Sequence, residues 1–254
     1  MKLSIITVCR NEATKIDATF DSVRAQTFND FEHIVVDGAS TDGTVGIIER
    51  YRDRIGYWCS EPDRGIYEAM NKGIRKARGD YLLFLNGGDS LATPDVLENV
   101  FSPGYPEDIL YGDMIKDDDG RRYLSSLADY SSSPFFFFTH TLPHQGSFIK
   151  RKLFEDLGLY DESYRLMGDY EFFKRALVKH KVTSRYLGLV VGVFDYSGMS
   201  TRPEFKSLQR RETRRARMAT YGIPRYLLFS FLWGLYDLLI YRPRRKIRSL
   251  ARHS

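Results

Sequence analysis

The sequence predicts an α/β protein with a mostly parallel central sheet, flanking helices and a helical extension at the C-terminus. Two observations predict this class: strand and helix patterns alternate along residues 1–90, and each short apolar run rich in β-branched residues ends in turn residues. The 254 residues are 43% hydrophobic and 28% charged, which is enough apolar material for a sizeable core. This composition excludes collagen-like, disordered and polytopic membrane proteins.

The first 90 residues predict four strands and three helices. The strands are compact apolar runs, and the second one is stopped by the Asp37-Gly38 turn. The helices repeat apolar residues at helical spacing, as Ile16, Phe20 and Val23 do in the first of them. In chain order the predicted elements are strand 3–8, helix 14–25, strand 31–36, helix 44–51, strand 55–59, helix 65–77 and strand 81–85.

The patterns beyond residue 90 are weaker but continue the α/β class. Residues 117–122 are interpreted as a charged turn, and residues 169–179 as an amphipathic helix that buries Phe172 and Phe173. The other predicted elements are strand 108–115, strand 146–149, helix 152–157 and strand 189–194.

Two features of the N-terminal part favour a cytoplasmic protein. The only cysteines, Cys9 and Cys59, are too few for a disulfide framework and are typical of a reducing compartment. The apolar run at residues 3–9 is short, and it lacks the longer stretch and small-residue cleavage site of a signal peptide. It is interpreted as a strand of the mature chain.

Polar residues follow three of the predicted strands, where a parallel sheet binds its ligands. These groups are residues 10–12, residues 37–44 and residues 86–89, and together they give a crevice with an acidic floor. Such a floor suits a cation, or a neutral base and ribose hydroxyls. The chain has neither a GxGxxG after the first strand nor a GxxxxGK[ST], which disfavours a dinucleotide site and a P-loop.

Four motifs, in order, resemble those of family 2 glycosyltransferases, in particular bacterial exopolysaccharide enzymes of the colanic-acid type. They are residues 4–12 (SIITVCRNE), 35–44 (VVDGASTDGT), 61–73 (EPDRGIYEAMNKG) and 79–86 (GDYLLFLN), and the resemblance extends to about residue 200. It implies a GT-A fold, a nucleoside diphosphate-sugar donor and inversion at the anomeric carbon.

The resemblance also assigns donor-binding residues. It implies that the nucleobase and ribose lie against Thr7, Asn11, Glu12 and Asp37, with Asp37 accepting from the imide N–H of the base. An Asp-Gly turn aspartate is also a common turn and capping residue, so a structural role for Asp37 stays open. The segment 61–73 approaches the donor in the family, which implies that Asp63 contacts ribose or sugar and Lys72 the diphosphate.

The metal motif departs from the family pattern. Family members carry an Asp-x-Asp after the fourth strand, whereas this chain has Asn86-Gly87-Gly88-Asp89, so one carboxylate and one amide remain. Two interpretations follow. Asp89, with Asn86, phosphates and water, holds Mg²⁺ or Mn²⁺, which is the interpretation we favour; alternatively, Lys72, Arg202 or a protonated His144 meets the leaving-group charge.

An inverting transfer needs one general base on the acceptor side. Residues 167–173 (MGDYEFF) resemble the acidic motif of the family at a helix start, which makes Asp169 the expected base and puts Gly168 where another acid often stands. His144 and Arg202 are expected to contact the acceptor or the diphosphate, and the small-residue run at 197–202 to close over the donor.

The C-terminal segment differs from the rest in charge. Residues 202–254 hold 14 basic and 3 acidic residues, a net charge of +11, whereas residues 1–201 carry −6. We therefore expect a catalytic domain at 1–201 and a basic helical tail at 202–254. The tail has a basic helix at 203–220, an apolar helix at 226–241 and a basic cluster at 242–246.

The apolar helix followed by arginines favours docking on an anionic leaflet at the cytoplasmic face of the cell membrane. A helix packed on the body and a short tilted span are the alternatives. Nucleic acid is not expected as a partner, because no recognisable module interleaves aromatic and basic residues.

These expectations give one main function and two rivals. The main one is transfer of a sugar from a nucleoside diphosphate-sugar, with UDP as the expected nucleotide, to a glycan or polyprenyl-diphosphate-linked acceptor in cell-surface polysaccharide synthesis. The first rival is a membrane-docked subunit that binds nucleotide-sugar or glycan without turnover. The second, a nucleotidyltransferase, lacks its glycine- and arginine-rich loop after the first strand.

Overall fold

A computed structural model of the protein describes residues 1–128, 134–196, 198 and 201–241. Within these residues the strands are β1 (Leu3–Cys9), β2 (Phe31–Asp37), β3 (Tyr57–Ser60), β4 (Tyr81–Phe84), β5 (Ser90–Leu91), β6 (Ile109–Asp118), β7 (Arg121–Ser125), β8 (Ser147–Lys150) and β9 (Ser184–Asp195). The helices are α1 (Ile16–Arg24), α2 (Thr44–Arg50), α3 (Ile66–Lys76), α4 (Val96–Phe101), α5 (Pro134–Thr139), α6 (Arg151–Asp156), α7 (Gly168–Lys174) and α8 (Lys206–Tyr236).

The strands form one mixed sheet in the order β3-β2-β1-β4-β8-β6-β9-β5, with β7 paired to β6. The first four strands are parallel, as predicted, because helices connect them. Beyond β4 the pairing changes: β8 runs antiparallel to both β4 and β6, while β9 is parallel to β6. The α/β class with a central sheet is confirmed, and its parallel character is concentrated in the N-terminal half.

The predicted charged turn at 117–122 is a β-hairpin. β6 and β7 pair up to Asp118 and Arg121, so the turn contains Asp119 and Gly120. Both have positive φ, 50° and 83°, as a tight hairpin turn requires. The single-sequence pattern missed β7 because its residues are charged or exposed, with Tyr123 and Leu124 facing solvent.

Two layers of apolar side chains cover the sheet. The alternation of β1 places Ile6 in the cluster that contains Met70 of α3 and Phe172 of α7. It places Ile5 in the opposite cluster, with Leu97 of α4. Because apolar clusters cover both faces of the sheet, a ligand can reach it at the edge formed by the carboxyl ends of the parallel strands.

Helix α8 joins the two predicted C-terminal helices across a kink. Gly222 has φ 69° and ψ 163°, outside the helical region, and Pro224 follows inside the helix. Pro224 has no backbone N–H to donate, and its ring clashes with the preceding turn, which interrupts the helix. Gly222 can adopt the positive φ of the kink because it has no Cβ. The part before the kink packs on the body through Glu212, Ala216 and Tyr221, which are buried.

The part of α8 after the kink presents an apolar stripe to solvent. Phe229 packs edge-on against Phe135 and Phe138 of α5. Nine other large apolar side chains of this part and of the π-helical turn Asp237–Tyr241 that continues it are exposed. Together we call them the α8 stripe: Ile223, Leu227, Leu228, Phe231, Leu232, Leu235, Tyr236, Leu238 and Leu239. Among the helices of the described residues, none has the length and apolar character needed to cross a membrane. The basic cluster predicted at 242–246 lies outside the described residues.

Candidate active site

A cleft of about 770 Å³ opens at the carboxyl ends of β1 and β4. This is where the parallel half of the sheet was expected to bind its ligand. The cleft brings together eight residues that the sequence predicted: Asn11, Glu12, Asp63, Asn86, Asp89, His144, Asp169 and Arg202. Of the predicted closing loop 197–202, Ser197, Met199 and Ser200 lie outside the described residues.

Asp169 is held by side chains from two other parts of the chain. Its Oδ2 accepts a hydrogen bond of 2.7 Å from Nδ1 of His144, and its Oδ1 accepts one of 3.0 Å from the hydroxyl of Tyr67. On the other side of the imidazole, Nδ2 of Asn86 donates to Nε2 over 3.1 Å. Because Nε2 accepts there, Nδ1 carries the proton that is donated to Asp169.

This environment keeps Asp169 ionised. Burial raises the pKa of its carboxyl, but the hydrogen bonds from His144, the backbone N–H of Tyr170 and Tyr67 outweigh burial, so the pKa lies below its ordinary value. The side chain retains 16% of its surface and lines the cleft. Three of the lone-pair positions of the carboxylate are occupied, which leaves room for one more donor.

Two buried oxygens on the floor of the cleft have no hydrogen-bond partner: Oδ1 of Asn86 and Oδ2 of Asp89. Such oxygens need a donor or a cation. Burial raises the pKa of Asp89 to about 7, although the backbone N–H of Asp195 bonds its other oxygen over 3.0 Å. These residues fit Mg²⁺ or Mn²⁺ with one carboxylate, one amide oxygen and phosphate ligands. The described residues contain no cluster of three acidic, His or Cys ligands.

The start of the cleft is shaped by a left-handed residue after β1. Asn11 has φ 57°, a conformation that asparagine tolerates better than most side chains. Its N–H bonds Oγ of Ser40 over 2.7 Å, and its Oδ1 accepts from the N–H of Thr41 over 2.9 Å. The next residue, Glu12, donates its N–H to Thr44. Burial raises the pKa of the Glu12 carboxyl. The loops after β1 and β2 are therefore joined.

Thr7 and Asp37, which are expected to lie against the nucleobase and ribose, are buried and do not line the cleft. Thr7 is fully buried, and its hydroxyl bonds Nε2 of His33 over 2.9 Å. Asp37 is also fully buried, and both of its carboxylate oxygens accept from Ser40, with Ser60 adding a bond of 2.6 Å. Asp37 thus organises the turn after β2, and its contact with the nucleobase stays a prediction.

The predicted contact of Lys72 with the diphosphate stays a prediction, and in this structure Lys72 has other partners. Its ammonium lies 2.9 Å from Glu61 and 3.6 Å from Glu68, and it donates to the carbonyl of Pro62 over 3.1 Å. It does not line the cleft, because α3 turns this face toward the segment before the helix. In the described structure Lys72 therefore stabilises the 61–68 segment.

Several residues that line the cleft were not predicted from the sequence. Lys15 pairs with Asp195 over 2.5 Å between the start of α1 and the end of β9, and Arg165 stands in the wall before α7. Tyr67 lies within the 61–73 motif, but no role was predicted for it. Its ring also explains Gly168: a Cβ there would come within 2.8 Å of the ring, so a side chain does not fit.

Comparisons with known proteins identify the family. The family model described as Glycosyl transferase family 2 matches residues 4–158. A PGL/p-HBAD biosynthesis glycosyltransferase of Mycobacterium bovis (strain BCG / Pasteur 1173P2) is 34% identical over 204 residues, 78% of each chain. An uncharacterized glycosyltransferase of Mycobacterium tuberculosis (strain CDC 1551 / Oshkosh) is 35% identical over 207 residues, 80% of this chain and 78% of its own.

Solved structures share the fold. TarS residues 1–349 of S. aureus in complex with UDP superposes with a TM-score of 0.72 at 18% identity, over 94% of this chain and 73% of that one. A mannosyltransferase of Pyrobaculum calidifontis in complex with GDP-Man and Mn²⁺ gives 0.57 at 17% identity, over 98% and 84%. The predicted GT-A fold is confirmed. With the family model covering more than half of its residues, this chain belongs to glycosyltransferase family 2.

Proposed function

We propose that the protein is an inverting glycosyltransferase in which Asp169 is the general base. The observation that carries the proposal is the ionised Asp169 carboxylate, held in the cleft wall by His144 and Tyr67 and still open to solvent. A general base has to be ionised, oriented and within reach of the proton that it removes. Asp169 meets the first two requirements without any ligand.

In the proposed step the acceptor hydroxyl donates its hydrogen bond to the free position on Asp169. The carboxylate takes that proton as the hydroxyl oxygen forms a bond to the anomeric carbon of the donor. The bond from that carbon to the diphosphate oxygen breaks with its electron pair, so the nucleoside diphosphate leaves from the opposite face. One displacement of this kind inverts the anomeric configuration.

His144 orients the base during this step. Because Asn86 donates to its Nε2, its Nδ1 proton is directed at Asp169. The imidazole therefore holds one carboxylate oxygen while the other faces Tyr67. In this proposal His144 acts on the acceptor side through Asp169.

The proposed donor end of the cleft is formed by Asn11, Glu12 and Asp63, and Arg202 also lines the cleft. Asp89 and Asn86 would hold Mg²⁺ or Mn²⁺. When bound, the cation neutralises the charge that develops on the diphosphate. UDP is the proposed nucleotide, supported by the UDP in the S. aureus structure, and the GDP-Man in the archaeal structure makes GDP the competitor to test.

The proposal includes an acceptor at the cytoplasmic face of the cell membrane, a glycan or a polyprenyl-diphosphate-linked sugar in cell-surface polysaccharide synthesis. The α8 stripe supports it, because nine large apolar side chains on one part of a helix need a partner surface. The basic residues of 202–254 favour an anionic leaflet.

Calorimetric titration of UDP and of GDP, each with Mn²⁺ and then with EDTA, tests the donor site. We expect UDP to bind with Mn²⁺ and to bind more weakly with EDTA. If neither UDP nor GDP binds in either condition, the catalytic proposal is contradicted and a subunit without turnover is favoured.

A further inference from the structure

Glu212 of α8 is a buried acid in a helix whose other charged residues are mostly basic and exposed. It retains 5% of its surface. Its Oε1 accepts the backbone N–H of Arg165 over 2.9 Å. Its Oε2 accepts the N–H groups of Leu166, over 2.9 Å, and Met167, over 3.0 Å. One carboxylate therefore satisfies three consecutive backbone donors.

The segment that Glu212 holds leads directly into the candidate base. Arg165 and Leu166 line the cleft, and Asp169 is the second residue of α7, which begins at Gly168. Hydrogen bonds to an ionised acceptor are among the stronger ones in proteins. Three of them on successive N–H groups fix the backbone of this segment, and with it the start of α7.

A second contact ties α8 to the other side of Asp169. Nε of Arg217 donates to the hydroxyl of Tyr170 over 2.9 Å, and that hydroxyl donates to the carbonyl of Phe138 over 3.0 Å. The guanidinium of Arg217 lies 4.4 Å from the ring centroid of Phe138. Helix α8 thus contacts residues 165–167, which precede the start of α7, and Tyr170, which directly follows the candidate base.

We propose that Glu212 is a positioning residue for glycosyl transfer, acting through the backbone of residues 165–167 on Asp169. The inference rests on the proposed function, because it takes Asp169 as the base. It also divides α8 by role: the part before Gly222 supports the active site, and the part after it carries the stripe.

A merely structural Glu212 and a positioning Glu212 differ in what they change. Loss of a structural contact lowers stability and weakens every function of the folded protein together. Loss of a positioning contact lowers kcat while nucleotide binding persists, since the proposed donor end is built by Asn11 and Glu12 after β1 and Asp63 after β3. A small misplacement of a reacting group costs up to about 100-fold in rate.

The experiment compares Glu212→Gln and Glu212→Ala with Glu204→Gln in the full-length protein. Glu204 is exposed and precedes the same helix, and within the described residues it forms no ion pair, so it matches the loss of one negative charge. For each variant we would measure kcat and KM for sugar transfer, the Kd for UDP, and hydrogen–deuterium exchange of the 165–167 amides. Asp169→Asn gives the reference for loss of the base.

We expect Glu212→Gln to lower kcat about tenfold and Glu212→Ala about 100-fold. The Kd for UDP should stay within about twofold of the parent value, the 165–167 amides should exchange faster, and Glu204→Gln should change none of these.

An unchanged kcat in both Glu212 variants, or equal losses of kcat and UDP affinity, would overturn the inference. Failure of both variants to fold would assign Glu212 to folding alone and also overturn it. If instead Asp169→Asn leaves transfer intact, the proposed function fails, whatever the Glu212 variants do.

Discussion

Nδ1 of His144 lies 2.7 Å from Oδ2 of Asp169, although 25 residues separate the two along the chain. The contact joins the turn before β8 to the start of α7. It makes the base part of a chain of hydrogen bonds that ends at Asn86, one of the two residues proposed to hold the cation.

Replacement of Asp169 by Asn should abolish most of the transfer activity. The amide cannot take the acceptor proton, and general-base catalysis contributes about 10²- to 10⁴-fold. We expect kcat, measured with a radiolabelled-sugar assay, to fall about 10²- to 10⁴-fold. The Kd for UDP, measured by calorimetry, should stay unchanged. Asp156→Asn, on the exposed face of α6, is the control and should retain full activity.

Replacement of His144 by Ala should move the pH profile. The hydrogen bond from His144 lowers the pKa of Asp169, so its removal raises that pKa. A base with a higher pKa is protonated at higher pH, and the acidic limb of kcat/KM should therefore shift upward. The measurement is kcat/KM between pH 4 and 8 in both proteins, and a shift of the limb to lower pH would contradict this role.

Nucleotide binding should depend on pH through Asp89. Burial raises its pKa to about 7, and a proton on Asp89 competes with a cation. We expect the Mn²⁺-dependent part of UDP affinity to decrease as the pH falls from 8 to 6, in calorimetric titrations with and without EDTA. Asp89→Ala should remove that part at every pH. If pH changes the UDP affinity equally with Mn²⁺ and with EDTA, the titrating group is not Asp89.

Acidic residues on the α8 stripe should weaken binding to membranes. Leu227 and Phe231 are 60% and 64% exposed, and burial of each side chain in lipid is worth about 1.5–3 kcal/mol. The double variant Leu227→Glu/Phe231→Glu should lower the partition coefficient on anionic liposomes at least about tenfold in a flotation assay. Ser207→Glu/Ala219→Glu adds the same charge at exposed positions before the kink and should bind nearly as well as the parent.

Truncation is a less suitable test of the same idea. A chain that ends at residue 201 loses the contacts of Glu212 and Arg217 with the segment around Asp169, together with the stripe. Loss of binding in that variant would not separate the two roles of α8.

The sequence predicted the elements and the site where local signals were strong. Apolar runs such as β1 and turn residues such as Asp37-Gly38 have local causes, so the parallel half of the sheet and the position of the cleft followed from them. The hairpin β6–β7 and the antiparallel β8 depend on long-range pairing, which no local pattern records.

The same distinction holds for individual side chains. Thr7 occupies a motif position, yet its hydroxyl is directed to His33 on the neighbouring strand. The pair of Lys15 and Asp195 spans 180 residues, and Glu212 acts on a segment 45 to 47 residues before it. These partners are fixed by tertiary packing, which a single sequence does not display.

The close approach of Gly168 to the Tyr67 ring has a consequence for how this site can vary. An acid at position 168, common in the family, would overlap the ring that supplies a hydrogen bond to Asp169. The two positions are therefore coupled: a side chain at 168 would require the Tyr67 ring to move, and with it the hydroxyl that donates to Asp169. Glycine at 168 thus keeps this support of the base in place.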